Sequence, residues 1–188
     1  MMREKNEKLK VYEFLYNRLP FSEDEAEELE ALQRMEKLEK EFESHLSKIK
    51  TGNMEIHWHS EVLVDSRYEL VNVLIATDYC YYMFVLRDLH GEHYINSFNI
   101  LCDSSHEAVL DLNRSDRIYE IFRDQLIDDG KYQRPVILKY VVMNEKFSLT
   151  GSKSEKFLNR RNLDYYLKAI EHSAVIKKKH YPPVTTNF

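Results

Sequence analysis

The period of the apolar residues changes at Thr51-Gly52-Asn53, and that change constrains the fold more than any other feature. Before it, apolar residues fall at Ala26, Leu29, Leu32, Met35, Leu38, Phe42, Leu46 and Ile49. Steps of three and four place them on one stripe of a helix of about six to seven turns. Ser22-Glu23-Asp24-Glu25 reads as a capping box at its start. The Ser hydroxyl takes an orphan backbone N–H, and the Glu three residues on reaches back. The early acids also complement the positive end of the helix dipole. A shorter helical segment, EKLKVYEFLYNRL, precedes it and stops at Pro20. The long helix is expected to lie across the domain or to pair with that segment, a free coiled coil being the other option.

After residue 53 the apolar residues alternate. MEIHWHSEVLV, YELVNVLIAT, YCYYMFVLRD and EHYINSFNIL are rich in β-branched and aromatic residues and are separated by short polar turns, including His90-Gly91-Glu92. Together they read as an antiparallel meander. From Ser104 the period is helical again through Ala108, Leu112, Ile118, Phe122 and Leu126, with Asp128-Asp129-Gly130 as the stop. PVILKYVVMN then reads as a strand buried on both faces. SEKFLNRRNLDYYLKAIEHS reads as a last helix capped by Ser154, followed by a frayed tail, KKKHYPPVTTNF. A meander joined by a helical crossover to a further strand implies a mixed β-sheet flanked by helices, in the α/β (α+β) class. The expected organisation is an N-terminal helical segment over 1–50, an α/β domain over 51–174 and a C-terminal tail over 175–188.

Composition narrows the function classes. The net charge of -5 argues against broad electrostatic wrapping of nucleic acid, though not against a local basic groove. Four glycines leave little room for phosphate-cradling loops, and neither a GxGxxG nor a Walker pattern occurs. No apolar run approaches the ~20 residues of a membrane span, and MMREKNEKLKVYEF lacks the apolar core of a secretory signal. Cys80 and Cys102 are too few for a disulfide framework. Two reduced thiols in a cytoplasmic protein are the expectation.

Several groups invite a chemical reading, each with a plainer one beside it. His57 and His59 would share a strand face at a spacing that metal sites use, but an exposed face explains them without a metal. Tyr79, Tyr81 and Tyr82 have the character of base-stacking residues, or of core and rim. Asn159-Arg160-Arg161-Asn162 and Lys177-Lys178-Lys179 are the basic spots, and short basic runs usually form a solvated face. Neither cysteine belongs to a recognisable Cys-His-Asn set.

Five segments, taken in order, resemble the nuclease-related domain (NERD) family, a bacterial-type domain of the restriction-endonuclease-like PD-(D/E)xK fold. MEKLEKEFESHL is similar to the family's Gly-Glu-x-x-Phe helix, with Leu38 for the Gly and Glu39 keeping the acid. YELVNVLI resembles its Gln-Ile-Asp strand, and FVLRDLHGEHYI its Phe-Glu-Val-Lys-Asn strand. AVLDLNRSDRIYEIF resembles a helix in which Asp111 stands at a Gln and Arg114 is retained; RPVILKYVVMNEKFSLTG resembles the strand and turn that follow. The match covers roughly residues 34 to 150.

The resemblance implies a metal-dependent nuclease whose strand carboxylates hold Mg²⁺ or Mn²⁺ and lower the pKa of the attacking water. On this alignment, however, the metal-binding Asp falls on Val71, the Glu of Glu-x-Lys on Val85 and its Lys on Arg87. Valine offers no oxygen ligand, and Arg is a poor proton shuttle because its pKa exceeds ~12. The site is therefore degenerate, with Glu39 and Glu69 as possible remnants and no confident catalytic residue. No cofactor is expected unless the chain is active, when Mg or Mn would be needed. The leading expectation is an inactive DNA- or protein-binding module with Arg87 and Arg114 toward nucleic acid. A protein partner would use the acidic N-terminal helix, and no membrane partner is expected. The alternatives are an active nuclease with relocated carboxylates and a protein-interaction domain with no nucleic-acid role.

Overall fold

The computed structural model describes residues 6–16, 18–52, 54–64, 67–128, 134–151 and 154–177. Two helices open it, Glu7–Tyr16 (α1) and Glu23–Leu46 (α2). The capping box forms as read. The Glu25 backbone N–H donates to the Ser22 hydroxyl, and the Ser22 backbone N–H donates to the Glu25 carboxylate at 2.8 Å. α2 does both things expected of it. Its first half packs on α1, where Leu9 and Leu29 are buried. In its second half, Leu38, Phe42 and Leu46 enter the core.

Next come the strands Met54–Val64 (β1), Arg67–Thr77 (β2), Tyr81–Arg87 (β3), Glu92–Ile95 (β4), Ile100–Asp103 (β5) and Ala108–Asp111 (β6). Helix Leu112–Asp128 (α3), strands Val136–Val142 (β7), Ser148–Thr150 (β8) and Phe157–Asn159 (β9), and helix Arg160–Lys177 (α4) complete the order. The fold is mixed α/β with two mixed sheets and four helices among the described residues.

The large sheet runs β1-β2-β3-β7-β9. β1, β2 and β3 form the expected antiparallel meander, and β3, β7 and β9 are parallel. A strand paired in parallel on both sides is covered on both faces, and this is why VILKYVV reads as a continuous apolar run. α2 and α4 cover one face, where Phe42 and Leu163 pack with Val73, Phe84 and Leu86. α3 covers the other, where Ile118 packs with Val71, Leu74 and Met83. His45 and Lys48, at the end of α2, hold Asp164 of α4 at 2.5 and 2.8 Å.

The small sheet runs β6-β5-β4-β8 and departs from the reading of the sequence in two ways. EHYINSFNIL does not continue the meander; it folds back on itself as β4 and β5. The Asn96 side chain accepts the backbone N–H groups of Phe98 and Ile100 at 3.0 and 3.1 Å, and Asn99 closes the turn at φ 62°. Residues 108–111, assigned above to a helix, are strand β6. An Asx turn at Asp103 accepts the N–H groups of Ser105 and Glu107 and returns the chain antiparallel to β5. The helix starts only at Leu112, with Asp111 accepting the Asn113 N–H at 2.9 Å.

Ser154 is not a helix cap. It opens a single 3-10 turn, Ser154–Lys156, after which β9 adds to the large sheet. α4 begins at Arg160, and Asn159 accepts the Asn162 N–H at 3.0 Å in the capping role. Asp129, Gly130 and the tail from Lys178 lie outside the described residues. Among the described residues, no helix is long and apolar enough to cross a membrane, and Cys80 and Cys102 are buried, free thiols.

Candidate functional site

Side-chain alternation along β2 breaks at one step. Val71 lies in the apolar cluster on the α3 face. Asn72 and Val73, consecutive in sequence, both face α2: Asn72 Nδ2 donates to Glu39 Oε1 at 3.1 Å, and Val73 packs in the Phe42 cluster. β1 does the same at the same level. Trp58 packs edge-on to Phe42, and the next residue, His59, places Nε2 2.9 Å from Glu39 Oε1. His59 achieves this in the left-handed region at φ 56°, a conformation uncommon for a residue with a Cβ. The β1–β2 register skips the His59–Asn72 pair, with Trp58↔Val73 and Ser60↔Val71 on either side. His57 does not share a face with His59; it is exposed beside Glu55 at 3.6 Å.

The result is a buried polar cluster in an otherwise apolar layer. Glu39 is 2% exposed and Asn72 1%. Asn72 is used at both ends of its amide. Its Oδ1 accepts the Leu86 backbone N–H at 2.9 Å, just beyond Val73↔Phe84, where the β2–β3 ladder stops. The Asn72 amide thus takes over from the ladder where the two strands part, and links β3, β2 and α2. Glu39 Oε1 is shared by Asn72 and His59, so this carboxylate oxygen is occupied from two directions. Burying a carboxylate costs several kcal/mol unless it is hydrogen-bonded in this way.

The other candidates are distributed differently from the expectation. Val85 does not face Glu39. It lies under the small sheet with Leu101, Leu112 and Tyr140. Arg87 follows on the same face and stands over the Tyr140 ring, 5.9 Å from its centroid. Arg114 is in the first turn of α3. Glu69 pairs with Val62 in the β1–β2 ladder, and its side chain is outside the described residues. Asp88 faces away from Arg87, toward Arg34 of α2 at 3.5 Å. Tyr81 is core, edge-on to Phe122, and Tyr82 packs on Tyr166. Burial raises the Tyr82 phenol above its ordinary range.

A cleft of about 460 Å³ opens where β3 and β7 end and α4 begins. Open parallel sheets commonly bind ligands beyond the carboxyl ends of their strands. Arg34, Lys37 and Leu38 form the α2 wall, Asp88 and His90 follow β3, Asn144 to Lys146 follow β7, and Arg160 starts α4. Arg160 is engaged by Glu41 at 3.1 Å and Glu145 at 3.2 Å. Among the described residues, no ion pair is seen for Lys37, Lys146 or Arg161, the last of which lines a smaller recess of about 120 Å³ continuing from the cleft. Sequence reasoning found Arg160 and Arg161 but had no means of bringing Lys37 and Lys146 to them. It missed Asn72, whose signal was present: one amide in the apolar run LVNVLIA.

Among the described residues, no group of three or more His, Cys, Asp or Glu side chains is placed to hold a metal ion. No protein-family model matches this chain, and no curated protein matches it significantly in sequence.

Proposed function

We propose that the chain is a nuclease-like domain that binds nucleic-acid phosphates and does not hydrolyse them. The order helix, three-stranded meander, crossover helix, parallel strand is the one the NERD resemblance implies, and α2, β1, β2, β3, α3 and β7 follow it. The observation that carries the reading is the Glu39–Asn72 pair. The β2 residue opposite Glu39 is Asn72, one position beyond the valine the alignment selects. An amide in place of a carboxylate there donates a hydrogen bond to Glu39 instead of sharing a cation with it. Val85, at the other carboxylate position, has an apolar environment. A hard divalent cation needs several oxygen ligands, and this donor set does not fit one.

The cleft beside this cluster is the ligand-facing surface in this reading, with Lys37, Lys146 and Arg161 as its uncommitted cations. Three phosphate contacts imply an affinity that falls roughly 40-fold between 50 and 200 mM salt. The free thiols of Cys80 and Cys102 are consistent with action in the cytoplasm.

The test is fluorescence anisotropy of a labelled 20-base-pair duplex across that salt range, run beside a nicking assay on supercoiled DNA in Mn²⁺. Salt-sensitive binding that weakens at least 10-fold in Lys37→Glu/Lys146→Glu, with no nicking, supports the reading. Metal-dependent nicking that is lost in Glu39→Gln overturns the non-hydrolytic part. Binding indifferent to the double substitution overturns the assignment of the cleft.

A further inference from the structure

α4 has an outer face that its packing does not use. Leu163, Leu167, Ile170 and Ala174 bury the inner face. The two acids of α4 lie on the flank toward α2 and are engaged there: Asp164 with His45 and Lys48, and Glu171 with the Lys50 backbone N–H at 3.1 Å. On the other flank Tyr166 packs edge-on to Tyr82 and Phe84. Opposite the buried positions runs a stripe at steps of four, three and four: Arg161, Tyr165, Lys168 and His172. All four are exposed.

No carboxylate falls in this stripe. Among the described residues, no ion pair is seen for Arg161, Lys168 or His172, and no ring contact or hydrogen bond for the Tyr165 side chain. Tyr165 is 81% exposed, the highest value for a large apolar side chain among the described residues. A solvated helix face ordinarily interleaves both signs of charge. This one carries cations, an imidazole and a bare aromatic ring. It is also continuous with the cleft. Arg161, its first member, lines the recess of about 120 Å³ together with Asn144, Glu145 and Arg160, and Arg160 holds Glu145 there at 3.2 Å. From Arg161 to His172 the helix rises about 16 Å. At one charge per ~3.4 Å of strand, that length matches about five phosphates.

We propose that a nucleic-acid strand held at the cleft runs on unpaired along this face, with Lys168 meeting a phosphate and Tyr165 stacking on a base. The inference rests on the phosphate-binding reading of the cleft and names its ligand: a duplex with a single-stranded extension. Charge and the ring decide the occupant together. A phosphate chain is favoured by cations with no competing carboxylate among them. Inside a duplex each base face is covered by its neighbours, so an exposed tyrosine ring finds a stacking partner only on an unpaired base. A helix lying on a lipid surface needs a broad apolar band beside its cations, and Tyr165 is the only large apolar residue of this stripe.

The full-length chain is titrated by fluorescence anisotropy with three labelled DNAs: a blunt 20-base-pair duplex and the same duplex with a ten-thymidine extension at a 3′ or a 5′ end. One extended duplex is expected to bind about 5-fold or more tighter than the blunt one, the lower end of what one stacked base contributes. That ratio should fall to about 1 in Tyr165→Ala, survive in Tyr165→Trp, which keeps a stacking ring, and shrink in Lys168→Glu, with helix content unchanged by circular dichroism. Blunt and extended duplexes that bind equally overturn the inference and leave the cleft reading standing. A ratio that persists in Tyr165→Ala overturns it as well. Failure of all three DNAs to bind overturns the cleft reading and the inference with it. Co-sedimentation with phosphatidylcholine–phosphatidylserine vesicles that Tyr165→Ala abolishes overturns the inference in favour of a lipid surface.

Discussion

The two faces of the large sheet solve the same problem differently at the point where β2 and β3 part. On the α3 side, Val71 and Val85 fill apolar clusters with Ile118 and Leu112. On the α2 side, a few ångströms through the sheet, Glu39, Asn72 and His59 form a closed hydrogen-bonded cluster. One face is held by volume, the other by geometry. Apolar packing tolerates substitutions that conserve shape, whereas a buried polar network fails when any member is left unpaired. The difference shows that a single polar position in an apolar strand can link three elements, here α2, β2 and β3.

Four substitutions, with Val71→Ala as the apolar reference, break or sharpen that contrast, in decreasing order of effect. Val85→Asp places an unpaired carboxylate under the small sheet and should cost about 4 kcal/mol or more, read as a lost or shifted urea transition. Asn72→Leu conserves volume, but leaves the Leu86 N–H unmet and Glu39 one partner short. It should cost about 2–4 kcal/mol in the same assay, more than the ~1.6 kcal/mol expected for Val71→Ala from two buried methyl groups. If Val71→Ala proves the more damaging, the linking role of Asn72 fails.

Asn72→Asp tests the electrostatics. Two carboxylates in contact raise the pKa of one of them above its unfolded value. The sign follows from linkage: stability is retained below the unfolded carboxylate pKa and lost as pH rises through the raised folded value. The variant should therefore lose about 1–3 kcal/mol at pH 7 and recover most of it near pH 4. Equal loss at both values would show that the carboxylates do not interact.

The smallest effect is expected at the α2–α4 junction. Hydrogen bonds from Lys48 and His45 hold the Asp164 carboxyl below its ordinary range. A depressed folded pKa contributes stability that is present above the unfolded pKa and lost as pH falls through the folded one. Asp164 is 40% exposed, so solvent screening limits Asp164→Asn to below about 1 kcal/mol at pH 7. The difference from wild type should shrink as pH falls below the ordinary aspartate range, as thermal melts across pH would show.

Much of this architecture was legible because it rests on long periodic runs. The α2 stripe, the capping box at Ser22, the β1–β2–β3 meander and the two-sided β7 all carry signals longer than one turn or one hairpin. What escaped was short or locally determined. β6 and β9 have four and three residues, too few for a period to separate strand from helix. Asn159 outcompetes Ser154 as a cap because β9 takes the residues before it. At the candidate site, alternation along LVNVLIA puts Val71 and Val73 on one face. The left-handed turn at His59 and the broken pairing at Asn72 undo that parity, and nothing in local propensity announces either. Lys37 and Lys146 come to line one cleft through tertiary folding alone, from α2 and from the segment after β7.

The place of β7 also sets an order of events during synthesis. Tyr81 of β3 pairs with Val136 of β7, 55 residues later, whereas β1, β2 and β3 pair across short turns. Local closure is entropically cheap and distant closure is slow. A chain emerging N-terminus first therefore completes its meander while the far edge of YYMFVLR is still bare, an apolar strand with open backbone groups. That interval lasts until α3 and β7 have been made. It is the period in which this protein is most exposed to pairing with the wrong neighbour, and pulse-labelled exchange should find the β3–β7 amides protected last.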